Sequence, residues 1–268
     1  MRDTGWRDDS GRIALRYFLT AVIPIASLGG LASSLHAQAT KVLVRVTAKD
    51  AKIIGSGVGG ARITIRDAVS GTVLAEGVQT GSTGSTPSIM GARERDATVY
   101  DTDGAAGFLA ELDLREPTRV LIEATGPLGV EHAVQMGSKS VLVIPGRDIT
   151  GEGVIIELNG FTVEVQSPEI GQVLHAGEAF DVRTRVTMLC GCPTEPGGMW
   201  DSDDYEIVVR AVRDHEVVGE WPMAFTGTTS EYAAPVRLDA PGEFDLQVIA
   251  IDAGKGNAGM ATRRITVR

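Results

Sequence analysis

Residues 61–79 read ARITIRDAVSGTVLAEGVQ. Ile63 and Ile65 alternate with Arg62, Thr64 and Arg66, and alternation resumes from Thr72. A period of two is that of a half-buried strand. Between the two runs, DAVSG at 67–71 carries the Asp, Ser and Gly that favour a tight turn. The stretch therefore predicts a β-hairpin.

The same pattern recurs outward in both directions. Upstream lies KVLVRVTA (41–48). Downstream come GFLAELDL (107–114), RVLIEATG (119–126), SVLVIPG (140–146) and GVIIELNG (153–160). After Asn159-Gly160 a second series begins with FTVEVQSP (161–168), AFDVRTRVTML (179–189), YEIVVRAVR (205–213) and EVVGEWPMAF (216–225). It closes with EYAAPVRL (231–238), GEFDLQVIAID (242–252) and MATRRITV (260–267). Turn residues separate the runs, and no window supports a three-turn amphipathic helix. Aromatic residues make up only 5% of the chain, against 33 glycines, which suits many short strands joined by turns. The expected fold is all-β, with two tandem antiparallel β-sandwiches at 40–160 and 161–268 and almost no linker between them.

The first 39 residues read as a signal peptide. Arg2, Arg7, Arg12 and Arg16 precede the apolar run YFLTAVIPIASLGGLASSL (17–35), and Ala37-Gln38-Ala39 is a small-x-small cleavage pattern. Pro24, Gly29 and Gly30 interrupt the run, which argues against a retained anchor. The expectation is a periplasmic or secreted protein with no stable membrane insertion after cleavage. The formal net charge of −10 argues against nucleic acid or an anionic membrane surface as partner. One connection is unusually long. Residues 80–104 carry little periodicity beyond a short possible strand at 98–100, and a loop of this length is a secondary candidate for binding.

The first half resembles the carboxypeptidase regulatory-like (transthyretin-like) sandwiches of exported bacterial proteins, on GARITIRDAVSGTVLAEGVQT (60–80) and YDTDGAAGFLAELDL (100–114). The insertion between these segments departs from that compact pattern. GEFDLQVIAIDAGKGNAGMATRRITV (242–267) is similar to the final hairpin of bacterial immunoglobulin-like domains. Asp252, Gly256, Asn257 and Gly259 supply a one-residue-longer form of its Asp-x-x-Gly-Asn-x-Gly turn. The resemblance implies adhesion, scaffolding or ligand binding, and the fold does not choose among them.

Both cysteines fall in MLCGCPTEPGGMWDSDD (188–204). If the second half is an immunoglobulin-like sandwich, this loop gathers at one end with the loops at 226–231 and 252–259. The binding-loop candidates are then Trp200, Asp201, Asp203, Thr228, Thr229, Asp252 and Asn257. The loop itself admits four readings. Cys190 and Cys192 can close a disulfide, redox-labile if strained, with Gly191 turning the chain. Met188, Cys190, Cys192 and Met199 supply the soft donors that select copper(I). Asp201, Ser202, Asp203 and Asp204 supply hard oxygens for calcium, without EF-hand spacing. Thiol catalysis lacks a neighbouring base.

No nucleophile elbow, zinc-protease motif or phosphate loop is present in the sequence. The leading expectation is an exported, non-enzymatic binding or scaffold protein, requiring no cofactor, that meets an unidentified protein or carbohydrate through its end loops. The alternative is a periplasmic copper-handling or redox-active protein using the Cys-Gly-Cys loop. A weaker alternative is a carbohydrate-binding module in which Trp200 stacks on a sugar.

Overall fold

The structure, a computed structural model, describes residues 38–268. The expected signal peptide lies outside the described residues apart from Gln38 and Ala39, which open the first strand. Seven strands lead up to Asn159. They are β1 (Gln38–Ala48), β2 (Ala61–Asp67), β3 (Val73–Gln79), β4 (Phe108–Leu114), β5 (Thr118–Gly126), β6 (Gln135–Val143) and β7 (Ile149–Leu158). They form two sheets, β4-β1-β7 and β3-β2-β5-β6. The hairpin expected at 61–79 is present, with Ile63 opposite Gly77. At its turn the Asp67 carboxylate accepts the Val69 and Ser70 N–H groups, each at 2.8 Å.

Nine strands follow: β8 (Phe161–Ser167), β9 (Val173–Leu174), β10 (Ala179–Met188), β11 (Glu206–Arg213), β12 (Glu216–Pro222), β13 (Ala224–Phe225), β14 (Glu231–Arg237), β15 (Gly242–Asp252) and β16 (Asn257–Val267). Their sheets are β13-β14-β10-β8 and β12-β11-β15-β16-β9. The all-β sandwich architecture read from the sequence is what the chain forms. Two strand pairs depart from the antiparallel pattern, because β1 runs parallel to β7 and β16 parallel to β9. A parallel pair needs a long crossover. For β1 and β7 the whole run from β2 to β6 supplies it.

Alternation turns one face of each strand inward. Val42, Val44 and Val46 of β1, with Ile63, Ile65, Val120 and Ile122, are fully buried. The buried apolar side chains on both sides of Gly160 belong to one continuous cluster, so no solvent layer separates the sheet pairs. Gln79 is the polar exception. It is fully buried at the end of β3, where its amide oxygen accepts the Val46 N–H at 2.7 Å. Its amide nitrogen donates to the carbonyls of Val46 and Ile54.

The connection at 80–104 is a packed excursion. It contains a helix, α1 (Thr86–Met90), capped by Ser85, whose hydroxyl accepts the Ser88 N–H, with Pro87 in the first turn. Ile89 packs with Ile53 and Ala106 in a small second core. No strand forms at 98–100. The Val99 and Tyr100 N–H groups are bound instead by the Glu152 carboxylate, each at 2.7 Å. The buried Arg45 guanidinium pins the far end through the carbonyls of Ala105 and Ala106 and the Asp101 carboxylate.

The stretch 216–225, expected as one strand, is two. β12 pairs with β11 in one sheet and β13 with β14 in the other, and the chain crosses between them at buried Met223. Among the described residues no helix is long and apolar enough to cross a membrane.

Candidate functional site

The Cys-Gly-Cys turn leaves β10 at Met188. Cys190 and Cys192 are disulfide-bonded, with Cα atoms 5.4 Å apart. The Gly191 N–H donates to the Met188 carbonyl at 2.8 Å, and the Met188 N–H to the Cys192 carbonyl at 3.0 Å. Gly191 has φ +78°, a left-handed conformation natural to glycine. Past the turn, Thr194 binds β10 and β14 at once. Its hydroxyl donates to the Val186 carbonyl at 2.7 Å and lies 2.9 Å from the Tyr232 hydroxyl.

This loop and the 226–231 loop are tied together. The Thr229 hydroxyl donates to the Glu195 carboxylate at 2.7 Å, and the Ser230 N–H donates to the Thr194 carbonyl at 2.9 Å. Asp201 caps a short 3-10 turn at Ser202–Asp204, accepting the Asp203 N–H at 3.0 Å and the Gly197 N–H at 2.8 Å. These two amide bonds, the Asp203 one foremost, hold its carboxyl below the usual carboxylate range.

The loops at this end lie against the first pair of sheets, which closes off part of the expected surface. Trp200 is 7% exposed, and its indole N–H donates to the Asp50 carbonyl at 3.0 Å. The Asn257 amide is wedged between three segments. Its oxygen accepts the Gly160 N–H at 2.9 Å and its nitrogen donates to the Lys49 carbonyl at 3.3 Å. The Lys255 ammonium sits 2.8 Å from the Asp50 carboxylate and 3.8 Å from that of buried Asp252. The Asp50 bond foremost raises the Lys255 pKa.

Several expectations are corrected by this packing. Trp200 is an internal strut between sheet pairs, so it offers no ring face for a sugar. Asp252 and Asn257 are likewise buried in the junction, whereas Asp203, Thr228 and Thr229 remain at the surface. The four sulfurs do not assemble a soft ligand set. The two Cys sulfurs are bonded to each other, leaving no thiolate while that bond is closed. Met188 is 1% exposed and accepts a long hydrogen bond from the Tyr205 hydroxyl at 3.9 Å, while Met199 is 59% exposed. Among the described residues no three His, Cys, Asp or Glu side chains are grouped to hold a metal ion. The Asp201 carboxylate accepts its two backbone amides through one oxygen, Oδ1.

What the packing leaves open is a cleft of about 410 Å³ between the excursion and the Cys loop. Its floor is the Cys190–Cys192 disulfide with Pro193, Met199 and the edge of Trp200. Its far wall is Lys52, Thr83 and Thr86. The Lys52 ammonium donates to the Thr86 hydroxyl at 3.0 Å. Sequence reasoning nominated both loops separately and missed Lys52. Only tertiary packing joins residues so far apart in the chain, and no local pattern marks that lysine.

No protein-family model matches the sequence, and no curated protein matches it. Among solved structures, an engineered protein is 17% identical with a TM-score of 0.30. The match covers 47% of this chain, which spans only 24% of that protein's length. The fibronectin(III)-like modules of Clostridium thermocellum CbhA are 12% identical over 84% of this chain and 89% of theirs, with a TM-score of 0.26. Titin domains z1z2, crystallised with telethonin, are 13% identical over 87% of this chain and 95% of theirs, also at 0.26. These neighbours include immunoglobulin-like and fibronectin-III-like β-sandwiches at low identity. They carry no statement about what this chain does.

Proposed function

We propose that this chain is an exported, non-catalytic binding or scaffold protein whose partner docks at the cleft between the 80–104 excursion and the Cys-Gly-Cys loop. In this reading the first half is a transthyretin-like (carboxypeptidase regulatory-like) sandwich and the second an immunoglobulin-like one. The protein acts in the periplasm or outside the cell, where the disulfide persists.

One observation carries the reading. The two longest loops of the described chain converge on a single cleft, each held by hydrogen bonds to a rigid sandwich, and Met199 stands exposed on its floor. Loops fixed on a stiff frame are where binding surfaces form. The cleft volume falls within the range of small-ligand pockets, roughly 300–1,000 Å³.

A photo-crosslinking amino acid placed at Met199, with another at the fully solvated Val69 as control, tests this in the producing cell. A discrete protein adduct from position 199 and none from 69 is the expected result. Equal labelling from both positions, or none from 199, removes the cleft as the docking site.

A further inference from the structure

The chemistry of the cleft walls narrows what it can hold. The chain has an excess of acid, with 35 Asp and Glu against 25 Lys and Arg, yet no carboxylate lines this cleft. The one charged lining group is the Lys52 ammonium. It forms no ion pair among the described residues, although Lys255 nearby binds Asp50. Its hydrogen bond to the Thr86 hydroxyl uses one of three N–H donors. Lys52 is half-buried, and its remaining N–H donors have no anion paired to them among the described residues.

In the same cleft Pro193 and Met199 present an exposed apolar surface, with the disulfide's cysteines almost covered beneath. A cation with spare donors facing an apolar floor complements a ligand with the reverse arrangement. The space holds one or two side chains, not a folded domain.

We infer that the cleft takes a short extended peptide segment of a partner protein, one that sets an apolar side chain on Met199 and Pro193 and a carboxylate on Lys52. This rests on the docking reading above and specifies the chemistry of the partner. A side-chain carboxylate and a chain-terminal carboxylate supply the same group, and the test separates them.

The full chain is used to select from displayed random heptapeptides, with parallel selections on Lys52→Gln and Met199→Arg. Recovered peptides are then synthesised with free or amidated C-termini. Peptides pairing Asp or Glu with an adjacent Leu, Ile, Met or Phe are the expected product. Their affinity falls about tenfold on Lys52→Gln, the scale of a charge-assisted hydrogen bond, and is lost on Met199→Arg. If amidation abolishes binding, the carboxylate is the chain end; if not, it is a side chain.

Peptides without an acidic bias, or with one that persists on Lys52→Gln, overturn this inference and leave the docking reading standing. Selection unaffected by Met199→Arg overturns both, and no selected peptide at all overturns this inference, the crosslink from Met199 then deciding the docking reading. The Lys52 main chain carries the structural role, its carbonyl accepting the Ala48 N–H at 2.9 Å, so the side-chain change leaves the fold intact. Unchanged thermal melting of Lys52→Gln verifies this.

Discussion

The Trp200 indole N–H and the Asp50 carbonyl, 150 positions apart in sequence, meet at 3.0 Å. That bond fastens the Cys loop to the turn after β1. Trp200→Phe keeps an aromatic ring and removes the donor, leaving the Asp50 carbonyl without its partner. The expected loss is about 1–2 kcal/mol. Trp200→Ala adds a cavity and is expected to cost about 3–5 kcal/mol. Urea denaturation followed by circular dichroism measures both, and a Trp200→Phe variant as stable as the parent would contradict the bond's contribution.

The disulfide closes a very small ring, its cysteines separated by two positions. Constraint of the unfolded chain scales with ring size, and a ring of three residues contributes only about 1.5 kcal/mol in the loop-entropy account. The Cys190→Ala/Cys192→Ala double variant is therefore expected to be folded and less destabilised than Trp200→Ala. A larger loss in the same urea titration would mean that the bond holds the Thr194 and Trp200 contacts in place as well.

Tyr205 gives the alkaline limit of stability a specific cause. Burial pushes its phenol above the ordinary value, with the Asp252 and Asp50 carboxylates adding to the shift. A phenol whose folded pKa exceeds its unfolded one contributes stability that is fully present below about pH 10 and is lost as pH rises further. Lys255, also raised, acts with the same sign. Tyr205→Phe gives up only the long contact to Met188. It is expected to melt close to the parent at pH 7 and above it at pH 11. Parallel melting curves for the two proteins from pH 9 to 11 would exclude Tyr205 as the cause.

Glu152 holds the middle of the excursion through two backbone amides. Exposed Arg93 and Arg95 lie just before that clamp. Glu152→Ala is expected to raise the rate of tryptic cleavage at these arginines about tenfold or more, since each lost bond to a charged acceptor is worth about 1.5–3 kcal/mol. Mass spectrometry of a timed digest reads the sites directly.

Much of the strand content was legible because alternation reports which face of a strand is buried. It does not report which neighbour a strand takes. The parallel pairing of β1 with β7 and the sheet change at Met223 therefore had no local signal. Gln79 closes the 61–79 stretch without any local mark of burial, which follows from where the Val46 and Ile54 backbone groups meet it. The same limit applies to the site. The sequence nominated the Cys loop and the excursion, and placed Trp200 at a surface. The turn at Asp50, which covers Trp200, carries no mark of that role. Burial at a contact between distant segments is a property of the assembled chain.

The passage from β7 to β8 takes only Asn159 and Gly160, and the Asn257 amide grips both Gly160 and Lys49 across it. The second half is consequently a poor unit for recombination. Grafted onto another protein, it would bring Trp200, Lys255 and Asn257 without the backbone carbonyls and carboxylate that complete them. The two halves therefore have to be inherited as a matched pair.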